Sequence, residues 1–273
     1  MPIYMDRHYV VGITRHAIAN AHEKDLAVQS KYGIQFLTYW MDEERCTGFC
    51  LVDSPDKATL QKAHDEAHGQ VPSEIIEVNP ATVEVFLGRI SDPLPVANTV
   101  LIDSAFRVIM VTDLKDSTGM ITQLGESTAM HLLRVHNALT RNALRNSGGR
   151  EVKHMGDGIM ASFADTSKAI ECVMSIQKSF AAYNSENAEP SLHLRIGLSA
   201  GEPVEEDSHL FGAAVNLAVR ICAYAQPDQI LVSQVIVDQC PMDKAIFSDA
   251  GKFNPKGFPI PVQVYQVNWQ SAG

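Results

Sequence analysis

Lys153-His154-Met155-Gly156-Asp157-Gly158-Ile159-Met160 is the stretch from which the organisation of this chain is best read. Two glycines bracket one aspartate, and an apolar run, Ile159 to Phe163, follows. Glycine accepts φ > 0, so the spacing predicts a sharp hairpin with Asp157 projecting from its tip. A carboxylate on a rigid turn is well placed to hold a metal ion, but an ordinary surface turn has the same composition. Two other features give the aspartate meaning. Asp113 closes the apolar run Arg107–Leu114, and Asn216 and Arg220 stand one helical turn apart. Alone, each of these would be read as a solvated face.

Working outward, the second part of the chain predicts an α+β domain with a mainly antiparallel sheet. Residues 107–114 form a strand, and Glu126 to Asn146 a long helix with Leu132, Val135, Leu139 and Ala143 on one stripe. Gly148-Gly149 stops that helix, and residues 151–163 form the hairpin. Asp165 caps a helix to about Tyr183, and Leu192 to Leu198 alternate as a half-buried strand. Residues 211–225 are helical, and 230–233 and 262–267 are strands.

The first eighty residues read as strand, helix, two strands, helix, strand. Thr14 caps a helix ending at Gly33, and Ser54-Pro55 opens a second with Pro55 at its first position. The βαββαβ order implies a ferredoxin-like sandwich whose bare sheet face would pair with a second copy. Five histidines fall here, and His64 and His68 are spaced to share one helix face. Cys46 and Cys50 lie too far apart on a regular strand to ligate one ion, so they read as small apolar groups. Between the two parts, 79–105 carries Pro80, Pro93 and Pro95 and reads as a linker, although Val83 to Ile90 is apolar enough to dock on a domain. The expected boundaries are therefore 1–78, 79–105 and 106–269.

The net charge of -10 argues against nonspecific binding of nucleic acid or an anionic membrane surface. No apolar run reaches the roughly 20 residues that cross a bilayer. Five scattered cysteines suggest reduced thiols and a cytoplasmic setting.

Two resemblances follow from particular residues. Tyr4-Met5-Asp6-Arg7-His8, Asp25-Leu26-Ala27-Val28-Gln29, Tyr39-Trp40 and His64-Asp65-Glu66-Ala67-His68-Gly69 resemble a family of small ferredoxin-like proteins of unassigned function, some of which bind nickel as dimers. This implies a metal site, nickel or another transition metal, built around His8, His64 and His68. Val111-Thr112-Asp113-Leu114-Lys115-Asp116-Ser117-Thr118, the 153–158 turn, Arg195-Ile196-Gly197, the run from Phe211 to Arg220, and Lys256-Gly257 occur in order and resemble the class III nucleotide cyclase catalytic domain over about 106–268.

The second resemblance implies conversion of ATP to 3′,5′-cyclic AMP and pyrophosphate at a head-to-tail homodimer interface. It implies two divalent cations, magnesium or manganese, on Asp113 and Asp157 with the Leu114 carbonyl, and phosphates cradled along 115–118 including Ser117 and Thr118. Asn216 would orient the ribose, Arg220 would stabilise transition-state charge, and Lys256 and Arg195 would meet the outer phosphates. Lys153 would donate to adenine N1. Two positions depart from the pattern. His209 stands where adenylate cyclases usually carry aspartate, and Asp116 where glycine is common. They leave open a cyclase of relaxed base specificity, or a nucleotide- or metal-binding sensor of weak turnover.

Overall fold

The computed structural model describes residues 1–93, 103–187, 190–206 and 209–270, the side chains at positions 121, 205, 206 and 209 excepted. The chain forms two compact units, Met1–Phe106 with Glu202–Leu210, and Arg107–Gly201 with Phe211–Gly273.

The first unit carries β1 (Ile3–Tyr9), α1 (Arg15–Tyr32), β2 (Gln35–Asp42), β3 (Thr47–Asp53), α2 (Lys57–Ala67), β4 (Glu74–Glu77) and α3 (Pro80–Leu87). Its strands lie in the order β2-β3-β1-β4, all antiparallel, as a ferredoxin-like βαββαβ chain requires. Thr14 caps α1 by accepting from the Ala17 N–H, and Gly33 closes it at φ 63°. The second helix begins later than Ser54-Pro55 predicts, because Asp56 accepts from the Thr59 N–H and takes the cap. Strand period two puts Tyr4, Asp6 and His8 on one face of β1. On that face Tyr4, Phe36, Cys50 and Val52 pack with Ile18, Leu60 and Ala63 from the helices.

The opposite face of this sheet is not bare, contrary to the expectation of pairing through it. Met5, Trp40, Phe49 and Leu51 are buried within the chain, and the Arg89 guanidinium lies 4.8 Å from the Trp40 ring. Burial of four large apolar groups removes the driving force for a second copy on that face. The stretch expected as a linker docks on this domain in its described part. Arg89 donates to Thr38 and to the Tyr39 carbonyl, and the Asp92 and Met41 amides pair with Leu37 and Asp103 carbonyls. Part of the stretch, 94–102, lies outside the described residues.

The second unit holds β5 (Arg107–Leu114), α4 (Ser117–Leu124), α5 (Glu126–Asn146), β6 (Arg150–His154), β7 (Ile159–Phe163), α6 (Thr166–Glu186), β8 (Leu194–Gly201), α7 (Gly212–Tyr224), β11 (Ile230–Ser233), α8 (Gln234–Gln239), β12 (Phe247–Phe253) and β13 (Val262–Val267). The short β9 (Glu205–Glu206) and β10 (His209–Leu210) pair in the first unit. The large sheet runs β12-β13-β11-β8-β5-β7-β6, antiparallel except for β8 with β11. Helix α6 packs on β5, β7 and β8, while α7 packs on β8, β5 and β11. Gly197 permits the second contact. A Cβ there would lie 2.6 Å from the Ala218 carbonyl oxygen and 2.7 Å from the Cys222 Cα.

Candidate functional site

Asp113 and Asp157 lie on neighbouring backbone segments because β5 and β7 are adjacent. Val111 faces Met160, so the β5 end runs past the 155–158 turn. Three bonds close the junction. The Leu114 N–H donates to the Asp157 carbonyl at 3.2 Å, the Ile159 N–H donates to Thr112 Oγ1 at 2.9 Å, and the Met155 N–H donates to the Gly158 carbonyl at 2.8 Å. The two glycines do different jobs here. Gly156 supplies φ 84°, the handedness the sequence predicts, whereas a Cβ on Gly158 would overlap the Thr112 carbonyl oxygen. Gly158 is therefore required for close approach and not for a left-handed backbone.

The carboxylates are held by short contacts inside the unit. Ser117 Oγ donates to Asp157 Oδ2. Arg195, opposite Asp113 on β8, sends Nε to Asp113 Oδ2 at 2.9 Å and Nη2 to the same oxygen. Among the described residues nothing else bonds to these carboxylates, so Oδ1 of each is left for another partner. Both carboxylates are part-exposed, and carboxylate oxygens are hard donors of the kind that magnesium or manganese takes. Arg195, expected to meet outer phosphates, is thus paired with Asp113 in this structure. Its guanidinium offsets charge that would otherwise repel a polyanion.

The expected phosphate cradle opens α4. Asp116 takes φ 56°, a conformation aspartate tolerates better than most residues, and its carbonyl accepts from the Met120 N–H. Its carboxylate folds over Gly119, at the helix end where backbone N–H groups attract anions.

Asn216 and Arg220 are exposed on one face of α7, whose opposite face buries Ala214, Ala218, Ile221 and Cys222. Lys153 on β6 and Lys256 in the β12–β13 loop are exposed as well. No hydrogen bond or ion pair joins any of these four to Asp113 or Asp157 among the described residues. His209 begins β10, and its side chain lies outside the described residues.

A second constellation lies in the first unit, under α1 and α2. His64 is fully buried, with Nε2 2.7 Å from Asp6 Oδ2 and Nδ1 3.0 Å from Asp25 Oδ1. His8 Nε2 stands 3.2 Å from Asp6 Oδ1, and His68 Nε2 the same distance from Asp25 Oδ1. Burial alone would depress the His64 pKa, but Asp6 and Asp25 outweigh it and lift the imidazole to about 10. Burial likewise pushes the Asp6 and Asp25 carboxyls up, yet the histidines beside them hold both below the usual carboxylate range. The Cys50 thiol is pushed well up by burial and then by Asp6, so it is a thiol at neutral pH. Asp6, His8 and His64 offer donor atoms all within 4.8 Å of one another, and so do Asp25, His64 and His68. The three histidines named from sequence therefore do meet. The two aspartates were missed, although Asp6-x-His8 is a strand spacing that shares one face.

The folded arrangement defines a class: a mixed-sheet α+β domain that presents paired carboxylates at adjoining strand ends, preceded by a ferredoxin-like domain. Comparison with known proteins specifies it further. Residues 106–268 match the family model described as adenylate and guanylate cyclase catalytic domain, and residues 4–78 match the one described as nickel responsive protein SCO4226-like. The chain belongs to the adenylate and guanylate cyclase catalytic domain family, with an SCO4226-like domain in front. It is 35% identical over 119 residues to a putative adenylate cyclase 3 of Rhizobium meliloti, covering 43% of this chain and 20% of that protein's length. A solved adenylate/guanylate cyclase/hydrolase from Silicibacter pomeroyi is 27% identical with a TM-score of 0.51, over 59% of this chain and 95% of that one. A bacterial light-regulated adenylyl cyclase shares the fold at a TM-score of 0.53 and 15% identity, over 98% of this chain and 93% of that one. No helix among the described residues is long and apolar enough to cross a membrane.

Proposed function

We propose that the chain is an adenylate cyclase that converts ATP to 3′,5′-cyclic AMP and pyrophosphate at sites shared between two copies. The observation that carries this reading is the Asp113–Asp157 pair, fastened by the Leu114–Asp157 backbone bond and flanked by Ser117 and Arg195. In the reaction the ribose O3′ bonds to the α-phosphorus, the bond to pyrophosphate breaks, and the hydroxyl proton leaves to solvent or phosphate. Two bound divalent cations would supply charge that lowers the hydroxyl pKa and offsets the triphosphate.

The protein's own groups bind and orient. Asp113 and Asp157, with the Leu114 carbonyl, would hold the cations, and the 115–118 amides with Ser117 and Thr118 seat the phosphates. Asn216 and Arg220, one turn apart, grip the ribose and the α-phosphate, Arg220 with a planar charge that does not titrate. Their exposure, on a helix face without contact to the acids, supports a site completed by a second chain in head-to-tail pairing. Lys256 and a released Arg195 meet the outer phosphates. Lys153 donates to adenine N1, an acceptor, where guanine presents a donor. His209 accepts from the adenine amino group only as a neutral imidazole. The first domain binds a transition metal, nickel foremost, and regulates the second.

Two observations favour the weak-turnover reading. Arg195 already neutralises Asp113, and the Asp116 carboxylate folds over the phosphate cradle. Incubation of the full chain with ATP or GTP and magnesium or manganese separates the readings. Cyclic AMP and pyrophosphate in equal amounts, dependent on Asp113, are expected. Nucleotide binding without product would leave only the sensor.

A further inference from the structure

The buried cluster of the first unit contains two overlapping donor triplets, Asp6–His8–His64 and Asp25–His64–His68. Hydrogen-bond direction chooses between them. The Gln70 backbone N–H, which can only donate, points at His68 Nδ1 from 3.1 Å. That nitrogen is therefore an acceptor, and the neutral ring carries its hydrogen on Nε2. His68 Nε2 lies 3.2 Å from both Asp25 Oδ1 and His64 Nδ1, and freeing its lone pair for a metal would put the hydrogen on Nδ1, against the Gln70 N–H. The second triplet thus lacks one of its three ligands.

In the first triplet no backbone N–H opposes the ligating tautomer: His8 and His64 each direct Nε2 at Asp6, and a metal there would take the place of the hydrogens those nitrogens carry. Asp25 also accepts from His64 Nδ1, which leaves Nε2 as that ring's coordinating atom, 2.7 Å from Asp6 Oδ2. His8 brings Nε2 to 3.2 Å from Asp6 Oδ1, and all three residues are at most 4% exposed. In a four-coordinate site with metal–nitrogen bonds of about 2.0–2.1 Å, donors stand roughly 3.3 Å apart. Small outward shifts of the Asp6 and His64 side chains would reach that spacing. A cavity of about 10 Å³ adjoins the cluster, lined by His8, Asp25, Cys50 and His68 among others.

We propose that the first domain holds one divalent transition metal on Asp6, His8 Nε2 and His64 Nε2, a two-histidine, one-carboxylate site, with Asp25 and His68 as outer groups that orient His64. This rests on the reading of that domain as metal-binding and deepens it by assigning the ligands. Imidazole with carboxylate suits nickel, zinc, cobalt or iron(II). An outer carboxylate on the far ring nitrogen is the usual support of a ligating histidine.

The test uses the full chain carrying Asp113→Ala, so that the cyclase acids do not contribute, titrated calorimetrically with nickel or zinc after metal stripping. One ion per chain is expected. His8→Gln and His64→Gln should each weaken binding by about 1,000-fold or more, and His68→Gln by about 10–100-fold, the range for an outer partner. A wild-type readout guards against variants that fail to fold. In long-range proton–nitrogen spectra, zinc should shift His8 and His64 Nε2 while His68 keeps its Nε2 hydrogen. Loss of the His68 hydrogen on loading, or full binding by His8→Gln, would overturn the ligand assignment while leaving a metal-binding domain. Failure to bind either ion would overturn the reading of the domain itself.

Discussion

Gly197→Ala tests how the proposed shared site is built, through a residue with no side chain to touch a nucleotide. A Cβ at this position would stand 2.7 Å from the Cys222 Cα and 2.6 Å from the Ala218 carbonyl oxygen, both backbone atoms of α7. Carbon–carbon contacts relax at about 3.5–4.0 Å, so α7 must move away from β8 by about 1 Å. Overpacking of this kind costs about 1–3 kcal/mol, which a domain of this size survives. Asn216 and Arg220 ride on α7 and move with it, whereas Asp113 and Asp157 belong to β5 and the 155–158 turn. A 1 Å misplacement of positioning groups is worth about 100-fold in rate. Cyclic AMP production should therefore fall by about that factor, while manganese binding by the acid pair persists. Mixed with Asp113→Ala chains, Gly197→Ala chains should recover activity, because one chain then supplies intact acids and the other an intact α7. Mixed with Arg220→Ala chains they should not. Wild-type turnover by Gly197→Ala, or rescue by Arg220→Ala in place of Asp113→Ala, would refute the reasoning.

Three further outcomes follow from the same geometry. Asp113→Ala and Arg220→Ala should each be inactive alone and regain up to one working site per dimer when mixed, as read by cyclic AMP formation. A dead mixture that still contains heterodimers would exclude a shared site. Arg195→Ala frees Asp113 from its guanidinium, so half-saturating manganese should fall severalfold while the KM for nucleotide rises. An unchanged manganese requirement would show that the ion pair does not compete with metal. His136, packed 5.8 Å from the Phe180 ring, has its pKa pushed down by burial, so it sits neutral in the fold. A depressed folded value means its contribution is present above about pH 6.5 and lost as pH falls through that lower value. Second-domain melting should therefore drop between pH 7.5 and 5, and His136→Phe should flatten part of the drop.

Much of the secondary structure was legible from local signals. Thr14 and Gly33 bound α1, and the 126–146 stripe gave α5 to the residue, whereas the alternation over 192–198 marked a strand that runs Leu194–Gly201 and is buried on both faces, with β11 and β5 flanking it. The misplaced start of α2 had a local cause, since Pro55 at a helix entry and the Asp56 cap compete within two residues. The supposedly bare sheet face was misread for a nonlocal one. What covers Trp40 includes Arg89, almost fifty positions along the chain, and no periodicity announces that contact. Of the proposed site, the acids, the Asn216–Arg220 spacing and the glycine turn stand out in the sequence because each is a short motif. That Arg195 rests on Asp113, and that Gly158 is needed for closeness and not for handedness, depend on strands brought together from opposite ends of the domain.

Residue order alone determined which groups are chemically equipped: two aspartates at strand ends, an asparagine and arginine one turn apart, and histidines concentrated in the first eighty positions. Composition and spacing suffice there because helix and strand periods act over a few residues. Only the tertiary structure decided which of those groups meet, that Asp6 and Asp25 clamp His64 from both sides, and which way each bond to His68 runs. Those facts come from packing between segments far apart in the chain, where burial removes water and leaves each polar atom to be satisfied by whatever neighbour the fold supplies.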